Sequence, residues 1–281
     1  MSIVSDIASS RELLLNLTRR ELKGKYKGSA LGWGWSLLNP LASMAVFTLV
    51  FSLVLRSTPP PGQRTHIDVY ALWLLCGLLV WNFISNGVTT GIASLTANSN
   101  LIKKVWFPRE TLVLSTVLSL VVTLLIELLV LSVALAFFGN VVAAWLPIVV
   151  VLIVLLTLFV TGLALALSVA NVYFRDLQYL ITIGLQIWFY STPIIYPATL
   201  IHDRLVVADP LHPLRHLHPH LWDLYQANPA YSFVEAFRDC LYDEQIPSAG
   251  RLGYLAAWSL VSLVVGYWVF KRYEGRLAEE L

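Results

Sequence analysis

Glu127 is the only charged side chain between Thr111 and Phe174. A carboxylate in so apolar a run is a functional hypothesis by default, because an unused charge is costly there. Thr116, Ser119 and Thr123 precede it at helical spacing and give that helix one polar face. The face could line a path for a polar cargo, or Glu127 could be a buried carboxyl bonded to a neighbouring helix. Standing alone, it makes a poor proton relay, which disfavours an ion-coupled transporter.

The basic residues form a second group. Residues 10–28, SRELLLNLTRRELKGKYKG, set Leu13, Leu14, Leu17, Leu22 and Tyr26 among Arg11, Arg19, Arg20, Lys23, Lys25 and Lys27. That pattern predicts an amphipathic helix in a membrane interface, apolar stripe inward and cations toward anionic headgroups. A second basic segment, NSNLIKKVWFPRE over 98–110, mixes Lys103, Lys104 and Arg109 with Leu101, Ile102, Val105, Trp106 and Phe107. Large rings in a short polar loop need a cover, either a protein partner or the headgroup layer.

Other chemistry is sparse. His202, His212, His216, His218 and His220 cluster in one segment, but Pro210, Pro213 and Pro219 prevent the regular helix that would align them, so no metal site is expected. The 2 cysteines, Cys76 in an apolar run and Cys240 in a polar loop, suggest no disulfide framework and no CxxC motif. No GxxxxGK[ST] occurs, so any ATP that drives this protein must be bound elsewhere. An enzyme acting on polyprenyl-linked glycans would need surface acidic or histidine clusters, and the inner loops offer only Glu110 and Asp176 as isolated carboxylates.

The elements that carry these residues are membrane spans. The chain is 57% hydrophobic and 13% charged, with a mean hydropathy of +0.71; a soluble domain carries about a quarter charged residues. Apolar runs reach the ~20 residues that cross a bilayer. They predict about six spans, near 36–55, 70–92, 112–138, 146–171, 177–197 and 252–270. Pro193 and Pro197 should break the fifth near its outer end. Most of the 19 Lys and Arg fall in 10–28, 98–110, at Arg175 and after 270, which puts those segments and both termini inside. Trp35, Trp106, Trp145 and Trp268 stand near span ends, where an amphipathic ring prefers the headgroup level. Gly87 and Gly91 read as a close-packing pair. The outer segment 198–250 is polar apart from NPAYSFVEAFRDCLY, Asn228 to Tyr242, whose apolar face suits a re-entrant or interfacial helix. No cleavable signal peptide is visible, and a net charge of +2 gives no reason to expect nucleic acid as a partner.

Six stretches in order resemble the type-2 permease subunits of bacterial ABC exporters for lipid-linked polysaccharides, the O-antigen, teichoic-acid and capsule exporters. They are RRELKGKYKGSALGWGWSLLNPLASMAVFTLVF from Arg19, NLIKKVWFPRE from Asn100, YFRDL from Tyr173, STPIIYP from Ser191, NPAYSFVEAFR from Asn228 and FKRYEGRLAEEL from Phe270. The likeness covers nearly the whole chain. The histidine-rich loop and the prolines at 59–61 are not part of the family pattern.

The resemblance implies an all-α integral membrane protein of six transmembrane helices per subunit, homodimeric, in the bacterial plasma membrane. Residues 1–30 would hold an amphipathic interface helix and 31–281 the permease domain. It further implies two separate ATP-binding subunits that hold ATP and Mg, no cofactor in this chain, and no catalytic residue. Leu101, Ile102, Lys103, Lys104, Trp106, Phe107 and Pro108 would form the loop that couples to the ATPase. Arg19, Arg20, Lys23, Lys25 and Tyr26 would gate the substrate and meet its pyrophosphate. Trp35, Glu127, Trp188, Phe189, Tyr190 and Tyr196 would line the path, and Asn228, Pro229, Glu235 and Arg238 would belong to an outer re-entrant helix. The expected cargo is a polyprenyl-pyrophosphate-linked polysaccharide. A drug or small-lipid exporter of the same superfamily shares the topology and remains an alternative, as does the membrane enzyme.

Overall fold

The computed structural model describes residues 11–25, 27–29, 31–32, 34–54, 67–201 and 218–280. Tyr26, the prolines at 59–61 and His202, His212 and His216 lie outside them, so the expectations attached to those residues are left where the sequence put them. The described residues are helical, with no strand among them.

In chain order the helices are α1 (Arg11–Lys25), α2 (Gly34–Thr48, continued by a π-helical turn Leu49–Val54), α3 (Tyr70–Ala97), α4 (Ser99–Lys104) and α5 (Glu110–Phe137). Then come α6 (Leu146–Tyr173, after a 3-10 turn Val142–Trp145), α7 (Leu177–Tyr190), α8 (His218–Gln226), α9 (Pro229–Leu241), α10 (Ala249–Tyr273) and α11 (Leu277–Glu280). Four segments are long and apolar enough to cross a bilayer: Tyr70–Lys104, Glu110–Phe137, Val142–Tyr173 and Ala249–Arg276. At 1.5 Å per residue a 28-residue helix such as α5 runs about 42 Å, more than the ~30 Å hydrocarbon core.

The first and fifth predicted spans differ from expectation. The apolar part of α2 is short, Leu41–Phe51. The helix α7 has 14 residues, about 21 Å, and stops at Tyr190 because the chain turns through Ser191, Thr192 and Pro193.

Of the four long helices, α3, α6 and α10 run parallel and α5 runs against them, so the bundle has two ends. One carries α4, the start of α5 and the C-terminal residues; the other carries α8 and α9. The core is centred on α3, where Leu74, Cys76, Val80, Ile84, Ile92 and Leu95 are fully buried between α5, α6 and α9. Gly87 and Gly91 explain how closely α6 approaches. A Cβ on Gly87 would meet Val160 at 2.3 Å, and one on Gly91 would meet Ala164 at 2.5 Å. The pair is therefore an intramolecular packing seam. On its other side α6 meets α10 still more tightly, because Gly266 faces the Gly162 backbone and Gly162 faces the backbone at Ser262. Ser259 and Ser262 of α10 donate to the Leu155 and Phe159 carbonyls of α6, both at 2.8 Å. Small residues with hydroxyl bridges are what hold helices together where lipid removes the hydrophobic drive.

The turn from α5 to α6 needs a residue with positive φ, and Gly139 supplies it at 88°. Asn140 beside it is fully buried and donates to the Leu241 carbonyl of α9 at 2.7 Å. Cys240, read from sequence as a polar-loop residue, is instead fully buried on α9, and both cysteines are free.

Candidate functional site

At the α4 end the chain leaves α3 at Ala97, makes the six-residue α4, and passes through extended backbone at Val105 before α5 begins at Glu110. Ile102 and Phe107 are buried and Leu101 is half-buried, so these three anchor the hairpin. Lys103, Lys104 and Val105 are exposed, and Trp106 is 91% exposed. The expectation of two exposed rings is thus half corrected: Trp106 projects, while Phe107 is tucked beneath. An extended segment sends successive side chains to opposite faces, so adjacent rings divide this way. Pro108 is half-buried and its carbonyl accepts from the Thr111 hydroxyl at 2.6 Å.

Glu110, an isolated carboxylate by sequence, is not isolated. It is 2% exposed and accepts from the Lys271 ammonium of α10 at 2.8 Å. Lys271 also bonds Glu274 at 2.9 Å, and Arg109 donates to the Glu274 carbonyl. Tyr173 of α6 meets Tyr273 edge-on at 6.0 Å, and Leu277 is fully buried where α11 packs beside α4. The base of the hairpin is therefore bolted to the ends of α6 and α10. These partners lie far apart in sequence, and only charge complementarity between 98–110 and the C-terminal FKRYE hinted at them.

The basic helix α1 packs along α5, with Leu17 buried and Leu13, Leu14 and Leu22 half-buried. Its apolar stripe faces protein, where a lipid interface was expected. Arg19, Arg20, Lys23 and Lys25 are exposed. Arg20 donates to Asn98 at 2.7 Å and Glu21 at 2.8 Å, and Lys25 to the Thr123 hydroxyl at 3.3 Å. Tyr26 lies outside the described residues.

The polar face of α5 is covered. Ser119, Thr123 and Glu127 are buried, and the Thr116, Ser119 and Thr123 hydroxyls bond back to carbonyls of their own helix. Glu127, expected on a path, is 9% exposed, and the charge acting on it is Lys25 of α1. That cation was invisible in sequence because it sits on another helix.

Of the other expected path residues, Trp188, Phe189 and Tyr190 come together and Trp35 stands apart, 43% exposed on α2. Trp188 and Phe189 are half-buried against Trp81, with centroids at 5.7 and 5.6 Å, and Phe189 also meets Phe47 at 6.2 Å. Tyr190 is 56% exposed, and the Tyr196 hydroxyl donates to its carbonyl at 2.5 Å. Along α7, Tyr179, Leu180, Ile183 and Ile187 are exposed with Tyr190. Among the described residues nothing covers one side of this short helix.

At the α9 end, Asn228 caps α9 by accepting from the Ala230 amide at 3.0 Å, and Pro229 takes the first turn, where its missing N–H costs nothing. The same oxygen accepts from the Trp188 indole at 2.8 Å, and the amide donates to Thr192 at 3.0 Å. Arg238, expected on an outer re-entrant helix, is 2% exposed. It donates to the carbonyls of Pro193 at 2.6 Å, Ile194 at 2.8 Å and Trp73 at 3.4 Å, and to Glu235 at 3.0 Å. Tyr70 donates to the Ile195 carbonyl at 2.6 Å. The irregular chain after α7 thus has its carbonyls satisfied by protein, the condition for non-helical backbone at membrane depth. Nearby, burial pushes the Asp239 carboxyl up to about 6 against the pull of its ion-pair partner Arg251.

No cluster of three metal-ligating side chains occurs among the described residues.

The match to known proteins runs the length of the chain. The family model for the ABC-2 type transporter matches residues 12–218. The O-antigen export system permease protein RfbA of Myxococcus xanthus is 30% identical over 280 residues, covering 99% of each chain. A protein of the same name from Klebsiella pneumoniae is 28% identical, covering 96% of this chain and 95% of its own. The polysialic acid transport protein KpsM of Escherichia coli is 23% identical, covering 91% of each.

Proposed function

The chain belongs to the ABC-2 type transporter family, and from that premise we propose that it is the permease subunit of an ATP-driven exporter for a lipid-linked polysaccharide. The names of its relatives supply the cargo class: two are O-antigen export permeases and one a polysialic acid transporter. The observation that carries the reading is Trp106, 91% exposed at the tip of a hairpin whose base is fixed to α6 and α10. An exposed indole just after two exposed lysines, on a rigid mount, is the anatomy of an interface hot spot. A separate ATP-binding subunit is the partner proposed for it, and that subunit holds ATP and Mg.

In this reading the α4 end and both termini face the cytoplasm, as the gathering of Lys103, Lys104, Arg109, Arg175 and Lys271 there supports. A second copy of the chain covers the open side of α7, so that α2 and α7 of each protomer border the path. Trp35, Trp188, Phe189 and Tyr190 give it apolar faces on which sugars slide without a fixed hydrogen-bond code. The α1 cations collect anionic lipid-linked substrate, and Glu127 holds α1 in place through Lys25. Asn228, Pro229, Glu235 and Arg238 close the outer end. Movement of the ATPases reaches the spans through the Glu110–Lys271 bolt.

The test is ATPase activity in nanodiscs, with whatever nucleotide-binding subunit co-purifies, for wild type and Trp106→Ala. Release or uncoupling of an ATPase by the substitution is the expected result. A chain that purifies without any ATPase overturns the exporter reading, as does polysaccharide export that persists when the partner cannot hydrolyse ATP.

A further inference from the structure

Two depressions at the α4 end share one residue, Arg175. The first is a polar cleft of about 340 Å³ with Thr96, Ser99, Asn171, Arg175, Gln178 and Glu280 on its walls. That falls in the roughly 300–1,000 Å³ range of small-molecule sites. The second is a groove of about 450 Å³ floored by Tyr173, Phe174, Leu177 and Leu180, with Asp176 at its edge. Phe174 is 72% and Leu180 64% exposed, so the groove opens on an apolar surface. Arg175 is exposed at the seam.

Asn171 separates this cleft from an ordinary packing gap. It is 3% exposed, its amide nitrogen donates to the Ile92 carbonyl at 3.4 Å, and its Oδ1 finds no partner among the described residues. A buried acceptor without a donor costs stability. Asn171 is also on the cleft wall, so a small turn of its amide would offer that oxygen to a hydroxyl group lodged there.

The charges say more. Arg175 presents a planar fork suited to phosphate oxygens, but Asp176 and Glu280 stand on either side of it. Charge alone therefore gives a bare polyanion little reason to stay. A molecule with a phosphate joining an apolar chain to a polyhydroxy head satisfies all three parts together. The head meets hydroxyl, amide and carboxylate groups, the phosphate meets Arg175, and the chain lies along Phe174 and Leu180.

We propose that this double depression binds the cargo lipid, with Arg175 holding its phosphate, the cleft reading its first sugar and the groove taking the start of its isoprenoid chain. The proposal rests on the exporter reading and deepens it to a place. Thr96 and Ser99 flank Asn98, which Arg20 of α1 grips, so the site adjoins the junction that roots α4. The exposed α1 cations then collect substrate, and Arg175 selects it.

The experiment uses the full chain with its ATPase partner in nanodiscs and three probes: farnesyl diphosphate carrying one hexose, farnesyl diphosphate, and inorganic pyrophosphate. Wild type should bind them in that order of decreasing affinity. Arg175→Gln should weaken the hexosyl probe about tenfold or more, the scale of a charge-assisted hydrogen bond. Gln178→Leu should weaken the hexosyl probe more than the unsugared one, and Arg272→Gln should change neither. The site is overturned if Arg175→Gln binds and exports like wild type, or if inorganic pyrophosphate competes as well as the full probe. Surface polysaccharide that is unchanged when the chain is depleted overturns the exporter reading itself, whatever the probes do.

Discussion

Lys271 at the end of α10 donates to Glu110 at the start of α5 at 2.8 Å, across a sequence separation of 161 residues. The carboxylate is buried and the ammonium about one-third exposed. Removing the cation leaves an uncompensated buried charge. Lys271→Met should therefore destabilise the chain near the low end of the roughly 3–5 kcal/mol typical of broken buried pairs. Glu110→Gln together with Lys271→Gln should recover most of that loss in a nanodisc thermal melt, yet leave ATPase activity poorly linked to export. Full export by the double variant would show that the bolt carries no motion.

Trp106 and Phe107 are neighbours with opposite duties, and their alanine variants should fail in opposite ways. Trp106→Ala touches no core, so its melting temperature should stay near wild type. It should weaken capture of the ATPase by about 2 kcal/mol, the threshold of a hot spot. Phe107→Ala should melt earlier, by about 3 kcal/mol, because it empties a buried ring site. Co-purification and melting measured on the same two preparations separate the effects.

The seam between α6 and α10 leaves no room for even one methyl group. A Cβ on Gly266 would lie 2.0 Å from the Gly162 carbonyl oxygen, and one on Gly162 would lie 2.2 Å from Ser262 backbone. Either Gly→Ala change should destabilise by about 1–3 kcal/mol, and the double variant by less than the sum, since the first already parts the helices. Gly253→Ala on the same α10, with nothing within 4 Å, should be neutral or slightly stabilising. Equal melting of Gly253→Ala and Gly266→Ala would refute the seam.

The membrane class and four long spans were legible because bilayer thickness forces a length onto apolar runs that no soluble core demands. The path from α2 to α7 was less legible. Pro193 announced a break, but composition could not say that α7 would stop at Tyr190. Burial of adjacent residues was illegible too: Trp106 and Phe107 look alike in a string, and only the extended backbone at Val105 turns them apart. Pairings were the largest loss. Glu110 and Lys271 read as unrelated charges until the helices that carry them lie side by side. The burial of Arg238 was illegible as well, because an Arg near a membrane surface is ordinarily solvated.

Arg238 is instead the rivet of the α9 end, with its guanidinium 3.5 Å from the centroid of Trp73 and its donors spread over three carbonyls and Glu235. Lysine cannot replace it. An ammonium is a compact point charge on a stem that cannot present a planar fork to Pro193 and Ile194 together. Arg238→Lys should leave at least one buried carbonyl unsatisfied and cost about 1–3 kcal/mol. Gly77→Ala should act on the same rivet from the other side, because its Cβ would lie 2.8 Å from Nη2 of a side chain whose bonds hold it in place. Cys76 and Cys240 are fully buried near this cluster and report its opening. Both variants should raise maleimide labelling of these thiols in nanodiscs, while capture of the ATPase at Trp106 stays at the wild-type level. Labelling as slow as wild type in Arg238→Lys would mean that α9 is held by its apolar face alone.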